Sequence, residues 1–538
     1  MRLRWHYALF LFVALHCSAQ QSETEIRLSI RADPKTFDPL LAGDDASEAV
    51  RYITGGVLLR FNRASHQIEP ELAQSWRVGK DGRRVDFVLR KGVRFSDGTP
   101  FDSADVAATI RRINDRTVRS GIADTFRTGK GAIGIESNGP DHVALIFPAP
   151  LDGVLSLFDQ LAIRSSRSKQ PDRAFLGPYM VADYKPGQFV LLRRNPHYWK
   201  HDKEGRKLPY TDKVRLDILA SRDIELSRFR NGELDVIDKV EPDVFERLQK
   251  QMPRAVKDIG PSLDSEVLWF NQVPNAPLAA HKRRWFASQR FRRAVSGAIQ
   301  RSDIARVVYR GFARPAAAYI SESNRTWWHS GLKPHTFDPG QSIRSLQEDG
   351  FRVNGGKLLD RDGNAVQFSL ITNSSSRARM QTAAMLQQDL SKIGIQLNIV
   401  PLEFGSLIER ITQTNDYEAC LLGFTNVEPE PNSQVNFFLS SGNLHAWHPA
   451  QPNPVTPWEA EIDQLIRKQA GAPQAVRKQA LDRVQEILWR EAPVIFLVHP
   501  NLLMAISPDL ANVAPSPLPP RFYWNIERIR STRRSARN

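Results

Sequence analysis

The pattern of apolar and polar residues predicts alternating strands and helices in the second half of the chain. Apolar residues predict strands over Val366–Ile371, Ile395–Val400 and Tyr417–Phe424. Apolar residues at helical spacing predict helices over Arg379–Ile393 and Ser406–Thr414. This β-α-β-α-β order predicts an α/β fold, in which helices cover a sheet.

Shorter patterns predict further elements on both sides of this region. Glu25–Ala32 alternates as a strand does, and the turn Lys80–Gly82 joins two apolar runs into a hairpin. Asp102 is predicted to cap a helix, because its carboxylate can accept from the free amides of the first turn. A helix over Pro473–Trp489 and a buried strand over Val494–Val498 are predicted near the C-terminal end.

The first twenty residues have the pattern of a secretory signal peptide. Arg2 and Arg4 precede the apolar run Ala8–Leu15, and cleavage is predicted after Ala19. The apolar run is too short for a bilayer span, which takes about 20 residues. We therefore expect a periplasmic protein that has been secreted across the inner membrane. Lipid anchoring at Cys17 is the alternative to a freely diffusing form.

The chain is basic, with 74 Lys and Arg against 59 Asp and Glu and a formal net charge of +15. Six arginines and one glutamate lie within 521–538, so part of this excess belongs to the C-terminal tail. No recognisable nucleic-acid-binding module accompanies the charge. We expect no nucleic-acid partner, and a solvated face or attraction to an anionic membrane surface explains the excess.

Catalytic and metal-binding motifs are missing from the sequence. There is no G-x-S-x-G, H-E-x-x-H or P-loop. Gly129–Gly134 matches G-x-G-x-x-G, but a hairpin rather than a helix is predicted after it. His445 and His448 could share a metal on a helix, but the prolines around them predict a loop. The sequence thus predicts no catalytic residue, metal ligand or cofactor, and an exported enzyme with an unrecognised site is an alternative.

Eight short motifs follow one another along the chain. They are Asp38-Pro39, Pro70–Trp76, Phe87–Phe101 together with Asp81-Gly82 and Ala104–Val106, Gly177–Tyr179, Arg194–Trp199, Gly232–Asp235, Phe270-Asn271, and Phe291–Val295 with Ala298-Ile299. In this order they resemble the solute-binding proteins of the peptide/nickel ABC importers, which are family 5 of the bacterial extracellular solute-binding proteins. The resemblance extends over about residues 26–500.

This resemblance implies a periplasmic-binding-protein fold of type II, in which two lobes are joined by a hinge of two crossings. The crossings are expected near 261–271 and 489–494. The expected division is a signal peptide 1–19, a discontinuous first lobe 24–58, 175–265 and 490–530, an inserted subdomain 59–174, a second lobe 266–489 and a basic disordered tail 531–538.

The resemblance also implies a function in transport. The protein would capture a peptide or peptide-like solute between its lobes, close around it and deliver it to the permease subunits of an ABC importer in the inner membrane. It would act as a monomer and without a cofactor. A carrier of a metal or haem chelate on the same fold is the alternative, and His445 and His448 are the residues that suggest it.

The candidate ligand contacts are also implied by the resemblance. Peptide-binding relatives hold the amino terminus of the peptide with an Asp in a G-W-x-x-D-x-x-D-P run. The corresponding run here is 423–431, and Val427 occupies the Asp position. The expected ligand-binding residues are Phe424, Thr425, Asn426, Val427, Glu428, Trp447, Asn271 and Arg377.

Overall fold

Strand β1 (Glu25–Ile30) and helix α1 (Asp45–Thr54) are the first elements that the computed structural model describes. The model describes residues 23–118, 120–127, 131–150, 153–425, 427–470 and 472–532. The strand predicted over Glu25–Ala32 is confirmed as β1. The predicted signal peptide and Cys17 lie outside the described residues, as does most of the basic tail.

The next segment forms a small separate sheet. Its elements are β2 (Leu59–Phe61), β3 (Ile68–Pro70), β4 (Ala73–Val78), β5 (Arg84–Leu89), α2 (Ser103–Asn114), α3 (Gly121–Phe126), β6 (Gly134–Ser137), β7 (His142–Ile146) and α4 (Val154–Leu157). Strands β4, β5, β7 and β6 form one antiparallel sheet in this order. The predicted hairpin is confirmed as β4–β5, and Asp102 caps α2 as predicted. The glycine-rich motif leads into the β6–β7 hairpin, and its Gly129 and Lys130 lie outside the described residues.

The chain then returns to the sheet of β1. The elements are β8 (Tyr179–Lys185), β9 (Phe189–Arg194), β10 (Lys213–Ile218), α5 (Arg222–Arg230), β11 (Val236–Ile237) and α6 (Pro242–Gln251). Strand β1 pairs in parallel with β10, and β9 and β8 extend the sheet. We call this sheet and its apolar core, which contains Ile26, Val190, Val214 and Phe522, the first lobe.

The remaining elements form the second lobe and the C-terminal segment that returns to the first lobe. They are β12 (Val256–Pro261), β13 (Ser265–Phe270), α7 (Ala280–Ala287), α8 (Gln289–Gly297), α9 (Arg301–Asp303), β14 (Ala313–Pro315), α10 (Pro339–Glu348), β15 (Arg352–Asn354), β16 (Lys357–Leu359), β17 (Gln367–Asn373), α11 (Arg377–Ser391), β18 (Gln396–Leu402), α12 (Phe404–Glu409), β19 (Ala419–Phe424), α13 (Val435–Phe438), α14 (Pro457–Gln469), α15 (Gln474–Glu491), β20 (Val494–Ile506), β21 (Leu510–Ala511) and β22 (Arg530–Ser531). The second lobe is the body around β13, β17, β18 and β19.

The predicted β-α-β-α-β unit is confirmed in this lobe. Strand β17 pairs in parallel with both β18 and β19, and α11 and α12 form the two connections. Gly394 follows α11 with φ 78°, and a Cβ there would lie 2.6 Å from the backbone nitrogen of Leu358. Glycine is therefore required where the helix turns into β18.

Strand β20 links the two lobes and is longer than predicted. Residues 494–498 pair with β13 of the second lobe, whereas residues 501–506 pair with β12 and β11. The change of partner therefore lies at 499–501, later than the crossing expected at 489–494. His499-Pro500-Asn501 interrupts the apolar pattern but not the extended backbone, which explains the short prediction. The other crossing lies between β12 and β13, within the expected range.

Candidate functional site

A cavity of about 1830 Å³ lies between the two lobes. Its first-lobe wall comes from the end of β1, from α1 and from residues 519–523, and the segment that contains the small sheet contributes 61–68 and 153–160. Its second-lobe wall comes from residues 324–327, 428–436 and 466–477. Pockets for drug-sized ligands measure about 300–1,000 Å³, so this cavity has room for a larger solute.

Buried ion pairs stabilise the first-lobe side of the cavity. Asp159 accepts from Arg60 at 3.1 Å and from Arg63 at 2.5 Å. The Arg63 Nε donates to the carbonyl of Pro519 at 2.7 Å, which joins the β2–β3 hairpin to the C-terminal segment. Arg51 is similarly held by Glu48 and by the carbonyl of Gln160. These guanidinium groups are neutralised within the protein.

The second-lobe wall carries an equivalent pair. Arg477 bonds to Glu430, and its guanidinium carbon lies 4.6 Å from the ring centre of Trp327. Gly153, which directly precedes α4, approaches from the opposite side, with φ 58°. A Cβ on Gly153 would lie 2.6 Å from the Glu430 Oε2, so the two sides of the cleft are in close contact here.

Glu428 differs from the other half-buried carboxylates of the cavity. It lines the second-lobe wall, and within the described residues it has neither a hydrogen bond nor an ion pair. Burial raises the pKa of Glu428, and the charge of Arg63 opposes part of this shift. A half-buried carboxylate without a partner is a ready site for a cationic group of a ligand.

Three other predicted residues of the 424–428 run, Phe424, Thr425 and Val427, do not line the cavity. Phe424 packs against Phe437 with ring centres 4.8 Å apart, and Val427 is buried in the same core. Thr425 is exposed to solvent, and Asn426 lies outside the described residues. Glu428 is therefore the member of the run that the structure brings to the cavity, and ligand contact by the others stays a prediction.

The three predicted residues from other segments also lie away from the cavity wall. Asn271 is fully buried, and its amide donates to the carbonyls of Asn415 and Tyr417. Trp447 is 1% exposed and donates to Glu459 at 2.9 Å. Arg377 has a side chain 83% exposed, 3.9 Å from Asp243 of α6. None of these three side chains lines the cavity, so their use as ligand contacts stays a prediction.

The two histidines considered as metal ligands lie in and beside the core of the second lobe. The His445 ring lies against Trp447 with centres 3.8 Å apart, and its Nδ1 lies 3.1 Å from the carbonyl of Phe437. His448 is partly buried, and neither histidine lines the cavity. Among the described residues, no three His, Cys, Asp or Glu side chains are placed to hold a metal ion.

Several cavity residues escaped the sequence reasoning. They are Arg51, Tyr52, Arg63, Trp327, Arg477, Arg521 and Tyr523. They come from distant segments whose approach depends on the tertiary fold. Arg521 was counted with the basic tail, whereas the structure places it on the cavity wall. Its position directly after a proline-rich stretch was the one local signal.

Residues 67–445, more than half of the chain, match the family described as bacterial extracellular solute-binding proteins, family 5 Middle. The chain belongs to this family. It is similar to the probable ABC transporter-binding protein of Deinococcus radiodurans, with 24% identity over 514 residues that cover 86% of this chain and 85% of that protein. The expected family is thereby confirmed, and the protein is an ABC transporter substrate-binding protein of the peptide/nickel family.

Solved structures of family members share the fold. NikA from Brucella suis in complex with Fe(III)-EDTA has a TM-score of 0.75 and 21% identity, covering 93% of this chain and 98% of its own. AppA from Bacillus subtilis in complex with a nonapeptide has a TM-score of 0.67 and 21% identity, covering 95% of this chain and 100% of its own. The expected α/β fold of periplasmic-binding-protein type II is confirmed. In the part of the chain that the structure describes, no helix is both long and apolar enough to cross a membrane.

Proposed function

We propose that this protein captures a peptide or peptide-like solute with a free amino group and presents it to the permease of an ABC importer. The observation that carries the proposal is Glu428, an unpartnered carboxylate on the wall of a cavity that is large for a small ligand. An ammonium group would supply the cationic partner that Glu428 lacks. The nonapeptide held by AppA supports a peptide as the class of solute.

Capture of a solute depends on closure of the two lobes toward each other. The strands change partners at 262–264 and at 499–501, so few backbone segments join the lobes. A rotation at these points would open the cleft, and a solute that contacts both walls favours the closed form. The role is therefore one of binding and release, and no catalytic step is proposed.

A metal or haem chelate is the competing solute, because NikA was crystallised with Fe(III)-EDTA. Among the described wall residues, His66 is the one imidazole, and no cluster of metal ligands accompanies it. A chelate would therefore have to bring its own metal ligands. It would also leave Glu428 without a cationic partner, so the peptide is the better match.

The cellular context follows from the N-terminal segment. We propose that a signal peptide directs the chain to the periplasm, where the protein acts as a monomer. A free form results from cleavage after Ala19, whereas an anchored form would carry a lipid on Cys17. The mass of the mature chain distinguishes these two forms.

The role of the solute's amino group is tested with random tetrapeptides that have a free or an acetylated amino terminus. Retention of each form by the protein is counted by mass spectrometry after ultrafiltration. We expect acetylation to lower retention at least tenfold, because it removes a charge-assisted hydrogen bond. Glu428→Gln should lower retention of the free form and leave the acetylated form unchanged.

Glu409→Gln is the matched control, since Glu409 is an exposed glutamate outside the cavity. It should retain both peptide forms as the natural chain does. Equal retention of free and acetylated peptides by the natural chain would overturn the role of the amine. Retention of Ni²⁺ or Fe³⁺ chelates together with loss of every peptide form would overturn the peptide itself.

A further inference from the structure

Arg521 is distinguished from the other cations on the cavity wall by the lack of a charged partner. Each of the others forms an ion pair: Arg31 and Arg222 with Glu225, Arg51 with Glu48, Arg63 with Asp159, Lys239 with Asp264 and Arg477 with Glu430. Within the described residues, the Arg521 guanidinium has neither an ion pair nor a hydrogen bond, and its Nε is buried without an acceptor. A buried donor without a partner destabilises the folded chain.

The backbone of Arg521 is held in an unfavourable conformation. Its φ of 58° lies in the left-handed region, which a residue with a long side chain rarely adopts. The neighbouring structure enforces it: the Arg521 amide donates to Leu518 and its carbonyl accepts from Ser516, both at 2.9 Å. Phe522 is buried in the first-lobe core directly after it. Such enforced strain concentrates at ligand clamps.

We infer that Arg521 is the anion-binding residue of the cavity and takes the carboxylate end of the solute. The inference rests on the proposed function and specifies the chemistry of its solute. A guanidinium presents a fork of donors that matches a carboxylate, and its backbone is already fixed in place. The solute would bond to the terminal guanidinium nitrogens, because the Nε is buried and out of its reach.

The placement of the two half-buried charges without a partner defines the class of solute. Arg521 belongs to the first lobe and Glu428 to the second, and both line the same cavity. A zwitterion with an ammonium group at one end and a carboxylate at the other would therefore bridge the lobes. Peptides with both termini free meet this requirement, and such a bridge selects the closed form.

The test compares random tetrapeptides that have a free carboxyl terminus with the same peptides as carboxyl-terminal amides. The full chain is incubated with each form, and retention after ultrafiltration is counted by mass spectrometry. We expect the natural chain to retain the amides at least tenfold less than the acids. Arg521→Gln should lower retention of the acids about tenfold and abolish the preference between the two forms.

Two further variants separate binding from structure. Arg521→Lys keeps the charge but loses the fork, so it should keep a reduced preference for the acids. Arg254→Gln changes an exposed arginine outside the cavity and should leave the preference unchanged. If Arg521→Gln lowers retention of acids and amides equally, Arg521 has a structural role only and the inference fails.

The remaining outcomes separate this inference from the proposed function. Equal retention of acids and amides by the natural chain would overturn the role of Arg521 while a peptide remained the solute. Loss of every peptide form would overturn the proposed function itself.

Discussion

A charged side chain on a cavity wall can serve a solute only if the protein has not already neutralised it. Arg63 is already neutralised, because Asp159 and the carbonyl of Pro519 occupy its donors. Glu428 and Arg521 are not neutralised, because neither has a partner among the described residues. The number of charges on the wall therefore says less about the solute than these two positions do.

Asp105, a motif residue that does not line the cavity, has a structural role. Asp105 is fully buried, and its carboxylate accepts from the amide and hydroxyl of Ser166 at 2.8 and 2.7 Å. It also accepts from the backbone of Asp102 at 3.0 Å, which completes the capping of α2. The carboxylate thus joins the start of the helix to the segment that follows the small sheet.

We expect Asp105→Ala to lower the free energy of unfolding by about 3 kcal/mol, because it leaves buried donors without acceptors. Urea denaturation followed by circular dichroism measures this change. Asp223→Ala is the control: Asp223 is an exposed acid in the first turn of α5, and its loss should cost less than about 0.5 kcal/mol. Equal effects of both substitutions would contradict this account of Asp105.

Local chemistry was predictable at this scale, whereas the choice of site residues was not. The cap at Asp102 follows from residue type and position, and the structure confirms it. Asn271 and Trp447 looked equally suitable as ligand contacts, yet both side chains are used within the protein. A sequence gives the donors of a side chain but not the partners that distant segments bring to it.

At the scale of elements, the start of α14 shows how a loop with several prolines is fixed. Thr456 and Glu459 form a capping box, and the Glu459 carboxylate also accepts from the Trp447 indole at 2.9 Å. Burial alone would raise the pKa of Glu459, but the His445 ring 3.6 Å away and hydrogen bonds from Trp447 and Thr456 outweigh it and lower the pKa to about 2. One ionised side chain therefore connects the helix to the loop before it.

The stability that Glu459 contributes should depend on pH. Its folded pKa is lowered, so the contribution is complete above the ordinary value near 4.5 and is lost as the pH falls toward about 2. We expect Glu459→Gln to be roughly 2–3 kcal/mol less stable at pH 7 and to approach the natural chain below pH 3. Thermal unfolding at pH 7, 5, 4 and 2.5 measures the difference, and a constant difference would contradict the lowered pKa.

Elements with a long, regular pattern were the easiest to predict. The β-α-β-α-β unit matches its predicted order because its apolar periodicity is regular and Gly394 marks the turn between α11 and β18. The second half of β20 was missed because Pro500 suggests the end of a strand. In the structure, Asn501 continues the strand with β12 as its new partner.

At the scale of the whole molecule, the discontinuous first lobe follows from pairings between distant segments. Strand β1 pairs with β10, and the C-terminal β20 joins β11, β12 and β13. Hydrophobic patterns identify such strands but not their partners, so the two-lobed arrangement was reached through resemblance. The ranges assigned to the lobes and the insert stay predictions, apart from the change of partner observed at 499–501.

The central claim is that the cavity between the lobes holds a zwitterionic peptide. Native mass spectrometry of the protein, exported and purified without denaturation, tests it most directly, because a retained solute adds its mass to that of the chain. We predict an added mass from a bound solute that collisional activation releases. The fragment masses of this solute should correspond to a chain of amino-acid residues with a free amino and a free carboxyl terminus. A released species with the isotope pattern of a metal chelate, or one that yields no amino-acid fragments, would contradict the claim.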